Sequence, residues 1–355
     1  MGRFFLPSLY QRSFMRTQEL IDTANALMAE GKGLLAMDES MSTISNRFEK
    51  EGISNTEENR RAYRELIVTT PGIGQCLSGA ILFDETIHQS TRDGVSFITL
   101  LERAGVIPGI KVDEGTTDLA GFPGEKITLG LDHLRQRLTA YHDMRLRFAK
   151  WRAVITIGPD IPSMGCIHAN THALARYAAL CQEAGLVPIV EPEVLMDGRH
   201  DIDLCFAVTK NVLTQLFTEL NDQRVDLRGL ILKPNMVLPG NESTRQVSAE
   251  DVAKATVTCL LSTVPSTVPG IAFLSGGQSP ETATEHLNAM HVLYSDLLPW
   301  ALTFSFSRAI QDPELHYWKG KEENKAGAQH LLYERMLLNT LARKGEYKPV
   351  LEKLI

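Results

Sequence analysis

Short apolar runs alternate along the chain with longer amphipathic stretches. The runs have the length of buried strands, and most of them open with glycine, which is typical of the loop before a strand. Eight such runs predict strands at 33–38, 79–83, 109–112, 153–157, 187–190, 229–232, 270–274 and 301–306. The segments between them have helical periodicity, for example at 171–185, at 324–344 and at 248–261, which starts with a Ser-Ala-Glu-Asp cap.

This alternation predicts the fold class. Strand and helix that alternate eight times favour an α/β protein with a closed (β/α)8 (TIM) barrel over an open doubly wound sheet. No glycine-rich dinucleotide fingerprint follows the first strand, which weakens the open-sheet alternative. We therefore predict one barrel domain over 19–347 with extra helical segments at both ends, a ragged N-terminal extension over 1–18 and a short C-terminal tail over 348–355.

Composition narrows the possible partners and compartments. The hydrophobic content of 43% and charged content of 22% are those of a globular protein, and no apolar run approaches the length of a membrane span. A net charge of −7 argues against general nucleic-acid binding, although a local basic pocket for phosphates is compatible with it. Five cysteines without a CxxC pair favour a reducing compartment, so we expect a cytoplasmic protein. The acid-free, arginine-containing segment 1–17 leaves organelle targeting open.

Charged residues that interrupt, precede or end the apolar runs give the first functional signal. They are Asp38, Lys111, Lys150, Arg152, Glu191, Glu193, Lys233 and Arg308. In a barrel the carboxyl ends of the strands converge on one mouth, where the active sites of this architecture lie. Residues two apart on a strand face the same side, so Lys150 aligns with Arg152 and Glu191 with Glu193. Cations and carboxylates that share one cavity perturb each other's ionisation, which suits proton chemistry.

Lys233 is the candidate nucleophile. It ends a predicted buried strand and directly precedes a proline, in the segment LILKPNM at 230–236. A free lysine is deprotonated to only about 0.04% at pH 7, so burial and a second cation, for which Lys150 is the candidate, would have to lower its pKa.

Two further stretches predict anion binding. The small residues of LSGGQS, at 274–279, separate the seventh strand from a helix, so their backbone N–H groups can point at a phosphate. Ser307 and Arg308 follow the eighth strand, and the loops after strands seven and eight often form a phosphate site in this fold.

The sequence also resembles class I fructose-bisphosphate aldolases in several long motifs. These are LLAMDES at 34–40, NTEENRRAYREL at 55–66, GIKVDEG at 109–115, FAKWR at 148–152, VPIVEPEVL at 187–195, LKPNMVLPG at 232–240, FLSGGQS at 273–279 and FSFSRAIQ at 304–311. They are collinear over most of the chain. The resemblance implies reversible cleavage of fructose 1,6-bisphosphate to dihydroxyacetone phosphate and glyceraldehyde 3-phosphate, with no cofactor and no metal, by a homotetramer.

The catalytic roles follow from the resemblance, motif by motif. Lys233 resembles the Schiff-base lysine, Glu191 the acid/base that helps the carbinolamine lose water, and Asp38 the base for the C4 hydroxyl. Lys150 and Glu193 resemble the groups that hold the C4 hydroxyl region and tune its charge, with Arg152 nearby.

The resemblance also implies two phosphate sites. The residues that resemble the C1-phosphate groups are Ser275, Gly276 and Arg308, and those that resemble the C6-phosphate groups are Ser40, Thr43 and Lys111. The chain lacks the tyrosine-ended tail of animal family members, so we expect active-site groups such as Glu191 to protonate the enamine.

Two alternatives stay open at this stage. His168 and His172 have the i, i+4 spacing that can bind zinc on a helix, as a metal-dependent sugar lyase would need, but they lack the glutamate of HExxH. The second alternative is a non-catalytic barrel that binds a protein partner. The sequence also leaves open the preference among fructose 1,6-bisphosphate, fructose 1-phosphate and sedoheptulose 1,7-bisphosphate.

Overall fold

The computed structural model describes residues 9–245 and 247–354, which include ten strands. They are β1 (Gly33–Met37), β2 (Leu77–Leu82), β3 (Ile107–Lys111), β4 (Thr116–Asp118), β5 (Lys126–Thr128), β6 (Phe148–Ile155), β7 (Val187–Val194), β8 (Ile231–Leu232), β9 (Gly270–Phe273) and β10 (Ala301–Phe306). Eight of them close a parallel barrel in the order β1-β2-β3-β6-β7-β8-β9-β10. The remaining two, β4 and β5, form an antiparallel hairpin after β3.

The helices surround this barrel. They are α1 (Leu9–Leu27), α2 (Met41–Lys50), α3 (Glu57–Val68), α4 (Ile73–Cys76), α5 (Asp84–Ile87), α6 (Phe97–Arg103), α7 (Leu134–Asp143), α8 (Met164–Ala184), α9 (Ile202–Asp222), α10 (Ala249–Thr263), α11 (Pro280–Tyr294), α12 (Arg308–Trp318) and α13 (Lys325–Arg343). Short 3-10 turns lie at Leu227–Gly229, Ser295–Leu297, Glu322–Asn324 and Pro349–Leu354.

The (β/α)8 barrel and its eight strands confirm the predicted fold class. The fourth barrel strand begins at Phe148, five residues before its predicted start at residue 153. The prediction placed Lys150 and Arg152 before the apolar part of the strand, whereas both are strand residues. Charges are tolerated there because Lys150 and Arg152 pair with Glu191 and Glu193 of the neighbouring strand β7.

Two apolar cores hold the barrel together. The larger one lies between the strands and the outer helices. The smaller one fills the amino-terminal half of the barrel interior with residues such as Leu34, Phe148 and Ile189. Leu20, Ala24 and Leu27, at helical spacing on α1, belong to this second core. The amino-terminal end is thus closed by apolar side chains, which leaves the carboxyl end of the strands for chemistry.

The first helix begins inside the predicted N-terminal extension. That extension was placed at 1–18, whereas α1 runs from Leu9 to Leu27. The start of the barrel domain at residue 19 stays a prediction. Residues 1–8 of the predicted extension lie outside the described residues.

The C-terminal segment is ordered through a buried ion pair. Tyr347 is buried and donates its hydroxyl to Glu352 Oε1 at 2.8 Å. Glu352 Oε2 in turn lies 2.5 Å from Arg335 Nη1 on α13, whose side chain is buried. Arg335 also donates to Thr284 Oγ1 on α11 at 2.9 Å. The predicted tail therefore packs against the outer helices α11 and α13.

Candidate active site

The carboxyl ends of the barrel strands surround a cavity of about 830 Å³. Every site residue predicted from the sequence lines it: Asp38, Ser40, Thr43, Lys111, Lys150, Arg152, Glu191, Glu193, Lys233, Ser275, Gly276 and Arg308. These side chains come from segments far apart in sequence, and barrel closure brings them together.

Four buried charges form the centre of the cavity. Lys150 Nζ lies 2.7 Å from Asp38 Oδ2 and 3.1 Å from Glu191 Oε2, and Lys233 Nζ lies 3.1 Å from Glu191 Oε1. Glu191 thus bridges the two ammonium groups.

Local structure fixes the position of each member of this cluster. Asp38 directly follows β1, Lys150 is in β6 and Glu191 is in β7. Lys233 follows the two-residue strand β8 and donates its backbone N–H to Val190 O at 2.8 Å, which holds it against β7. Because strands β6, β7 and β8 are adjacent in the barrel, their carboxyl ends deliver these side chains to one point.

The cluster keeps both carboxyl groups ionised. Burial raises the pKa of Glu191, but the neighbouring Lys150 and Lys233 outweigh burial and hold its pKa below the ordinary value. The pKa of Asp38 is lowered in the same way, since Lys150 and Lys233 oppose the effect of burial. Burial lowers the pKa of Lys150, but Asp38 and Glu191 raise it above the ordinary value overall. The site therefore holds two proton acceptors beside an amine, and Lys150 stays cationic.

A second ion pair lies nearer the mouth. Arg152 Nε donates to Glu193 Oε2, and the Arg152 side chain is partly exposed. Lys150 and Arg152 were expected to face the same side of their strand. Both side chains line the cavity, where Lys150 pairs with Asp38 and Arg152 with Glu193. This pair can orient polar groups of a ligand that enters from solvent.

One candidate anion site lies between β9 and α11. Gly276 and Gly277 have φ values of 62° and 94°, which L-residues with side chains rarely adopt, so glycine is required for this turn. An added Cβ at Gly277 would lie 3.6 Å from Arg308 Nη2, which places the guanidinium beside the turn. Arg308 is exposed and has no ion-pair partner in the described part of the chain.

The second candidate anion site lies at the amino-terminal end of α2. Ser40 is the N-cap residue, and its hydroxyl lies 3.0 Å from that of Ser42 and 3.1 Å from that of Thr43. These hydroxyls lie at the positive end of the helix dipole, which favours anions. Lys111, at the end of β3, lines the same cavity and is held by Asp113 at 2.6 Å.

Sequence reasoning missed several polar residues of this cavity. Glu39 is buried, lies 2.5 Å from Arg47 Nη1 and accepts a hydrogen bond from Ser307 Oγ at 3.1 Å. Its partner Arg47 lies on α2 outside the cavity lining, and its position in sequence gives no signal of burial. Asp113, by contrast, is two residues after Lys111, and the same-face argument used for the other charge pairs would have found it.

The histidines of the zinc alternative lie elsewhere. His168 is exposed on α8, and His172 Nδ1 lies 3.0 Å from Glu219 Oε2 on α9. Within 9–245 and 247–354, no three His, Cys, Asp or Glu side chains are grouped so that they could hold a metal. The geometry gives this alternative no support. Among the same residues, no helix is both long and apolar enough to cross a membrane.

Comparison with known proteins gives a consistent result. A sequence model of the family described as fructose-bisphosphate aldolase class-I matches residues 19–354. A probable fructose-bisphosphate aldolase class 1 of Xanthomonas campestris is 57% identical over 335 residues, which cover 94% of this chain and 100% of that protein. The cytosolic fructose-bisphosphate aldolase 6 of Arabidopsis thaliana is 53% identical over 93% of this chain and 92% of its own length.

A solved structure extends the similarity to the fold. Fructose-bisphosphate aldolase from Plasmodium falciparum, crystallised with TRAP and a small-molecule inhibitor, superposes with a TM-score of 0.92. The two chains are 46% identical, and the match covers 94% of this chain and 96% of the other.

Proposed function

The chain belongs to the class I fructose-bisphosphate aldolase family, and we propose that Lys233 is the amine through which it forms an imine with its ketose substrate. The reaction is the reversible aldol cleavage of fructose 1,6-bisphosphate to dihydroxyacetone phosphate and glyceraldehyde 3-phosphate, a step of glycolysis and gluconeogenesis. The observation that carries the assignment to Lys233 is its buried Nζ, 3.1 Å from the bridging carboxylate of Glu191.

Imine formation needs proton transfer in both directions. Lys233 must lose a proton before its nitrogen can attack the C2 carbonyl, and the carbinolamine must then lose water. Glu191 is ionised and touches Lys233, so it can accept the first proton and return it to the departing hydroxyl. Lys150, on the other oxygen of Glu191, stays cationic and keeps that carboxylate in place.

Cleavage of the C3–C4 bond needs a base at the C4 hydroxyl. Asp38 is ionised, lies 2.7 Å from Lys150 and can accept that proton as the bond breaks. The bonding electron pair passes into the protonated imine on Lys233, which leaves an enamine and releases the aldehyde. Glu193 and Arg152, nearer the mouth, are placed to orient the hydroxyl groups of the aldehyde half.

The two anion sites set the orientation of the ketose. Arg308, Ser275 and Gly276 lie on the side of β9 and β10, next to β8 and Lys233, which suits the phosphate on C1. Ser40 and Thr43 follow β1 and Lys111 is the last residue of β3, and these three residues suit the phosphate on C6. In the orientation that we propose, C2 lies near Lys233 and C4 near Asp38.

Sodium borohydride tests the proposed chemistry. It reduces an imine to a stable secondary amine, so it should inactivate the enzyme irreversibly in the presence of dihydroxyacetone phosphate and leave it active without this ligand. Full activity after both treatments would contradict imine chemistry, and it would bring back the metal-dependent and non-catalytic alternatives.

Arg308→Ala should weaken binding of C1-phosphorylated ketoses about 10- to 100-fold, because it removes charge-assisted hydrogen bonds to the phosphate. Binding constants for a C1-phosphorylated ketose and its unphosphorylated analogue measure this effect, and only the first should change. Arg199→Ala is a matched control, since Arg199 pairs with Glu242 on the surface. Equal losses for both ketoses would place Arg308 outside the C1-phosphate site.

Removal of residues 348–355 should affect stability more than catalysis. It takes Glu352 away from the buried Arg335 and should lower the free energy of unfolding by about 1–3 kcal/mol. Hydrogen exchange at C3 of dihydroxyacetone phosphate should change less than about threefold, because we assign enamine protonation to groups such as Glu191. Glu352→Gln is the control that keeps the segment and removes the charge. A tenfold loss of exchange in folded, truncated enzyme would mean that this segment enters the site.

We also propose a homotetramer in the cytoplasm. The family resemblance supports the tetramer, and the cytosolic relatives from Arabidopsis and spinach support the compartment. Light scattering on the purified protein tests the oligomeric state. Residues 19–347 remain our proposed single barrel domain, and the family match extends through the following segment to residue 354.

A further inference from the structure

Asp113 is a buried carboxylate of the active-site cavity to which the proposed mechanism gives no role. It follows β3, and its Oδ1 lies 2.6 Å from Lys111 Nζ. The same oxygen accepts the backbone N–H of Gly115 at 3.2 Å, and Oδ2 accepts that of Arg152 at 3.2 Å. Lys111 also donates to the backbone oxygen of Asp113 at 2.6 Å. The carboxylate is thus fixed from both sides, and Lys111 is bound to it.

The two proposed phosphate sites therefore differ in charge. Arg308, at the C1-phosphate site, has no carboxylate partner in the described residues. Lys111, at the C6-phosphate site, already forms an ion pair with Asp113. A phosphate that approaches Lys111 meets a neutral pair, whereas a phosphate that approaches Arg308 meets an uncompensated cation.

We propose that Asp113 determines specificity by weakening the hold of Lys111 on the phosphate of the aldehyde half. This inference rests on the proposed function, since it takes Lys111 as a ligand of the C6 phosphate. It means that the enzyme retains a ketose chiefly through its C1 phosphate and releases the phosphorylated aldehyde readily.

Asp113 could instead help binding, because it holds the flexible Lys111 side chain in the cavity. The charge effect should dominate. The pair is largely buried, so solvent and salt screen the repulsion between Asp113 and a phosphate only weakly. The side chain of Lys111 is itself largely buried, so loss of Asp113 frees it only in part.

Steady-state kinetics with fructose 1,6-bisphosphate and fructose 1-phosphate test the proposal, because only the first carries the C6 phosphate. Asp113→Asn should raise the ratio of kcat/KM for the bisphosphate to kcat/KM for the monophosphate at least about fivefold. Most of the change should come from a lower KM for the bisphosphate. An unchanged or lower ratio in folded protein would overturn the proposal.

Two controls separate this effect from general changes. Glu114→Gln removes a negative charge from the same loop, but Glu114 is exposed and pairs with Arg137, so the ratio should stay within about twofold. The double variant Lys111→Met with Asp113→Asn removes the ion pair as a unit, and its ratio should stay within about threefold of the starting enzyme. A loss of about 30-fold or more in the double variant would show that Lys111 acts at full strength despite Asp113.

Circular dichroism and thermal unfolding establish that each variant is folded. If Asp113→Asn is unstable, Asp113→Ser also removes the charge and keeps a hydroxyl that can accept one of the two backbone N–H groups. The double variant tests the proposal independently of both. Borohydride labelling of Lys233 separates failure of the proposed function from failure of the role of Asp113. If Lys233 is not labelled, the proposed function is wrong. If Lys233 is labelled normally and the kcat/KM ratio is unchanged, only the role of Asp113 is wrong.

Discussion

Replacing Lys233 with methionine should reduce cleavage of fructose 1,6-bisphosphate by a factor on the order of 10⁴ or more, since the proposed nucleophile is lost. Methionine has a similar length and suits the buried position, so the barrel should fold. Glu191 keeps Lys150 as a partner, which limits the disturbance. The cleavage rate at saturating substrate, measured on enzyme with normal thermal unfolding, gives the result.

Lys233→Arg is the matched control for charge. It keeps a cation beside Glu191 but supplies no amine that can form an imine, so it should be as inactive as the methionine variant. Activity within about tenfold of the starting enzyme in either variant would assign the imine to another lysine.

Glu191→Gln should lower kcat by about 10²- to 10⁴-fold, which is the usual contribution of general acid–base catalysis. The amide cannot exchange a proton with Lys233 and leaves both ammonium groups without the carboxylate that they share. Because Glu191 lies deep in the cavity and the proposed phosphate sites lie elsewhere, KM should change far less than kcat.

Glu193→Gln is the comparison for this prediction. Glu193 pairs with Arg152 near the mouth, whereas Lys233 pairs with Glu191, so the loss of Glu193 should cost at least about tenfold less in kcat. Single-turnover borohydride trapping locates the affected step, since Glu191→Gln should slow imine formation itself. Normal trapping with slow cleavage would move Glu191 to a later step.

The sequence predicted the fold and most of the cavity for one physical reason. Buried parallel strands are apolar, so a charge at the end of such a run is conspicuous, and barrel closure brings all the strand ends together. Lys233 and Glu191 stand out in this way. Glu39 does not, because its ion-pair partner Arg47 lies on a helix whose buried face becomes apparent only when α2 packs beside Glu39.

Element ends were harder to predict. The start of β6 was placed too late because Lys150 and Arg152 interrupt its apolar pattern, and only their partners across the barrel explain why a strand can hold them. The role of α1 in closing the barrel was not predicted either, because Leu20, Ala24 and Leu27 pack against strand residues distant in sequence. Both features depend on long-range contacts, which local patterns do not contain.

Peptide mapping after borohydride reduction with dihydroxyacetone phosphate tests the central claim most directly. We expect a single reduced adduct, on Lys233, formed equally well with and without EDTA. An adduct on Lys111 or Lys150 would contradict the assignment of the nucleophile, and the absence of any adduct, or its loss on addition of EDTA, would contradict the imine mechanism itself.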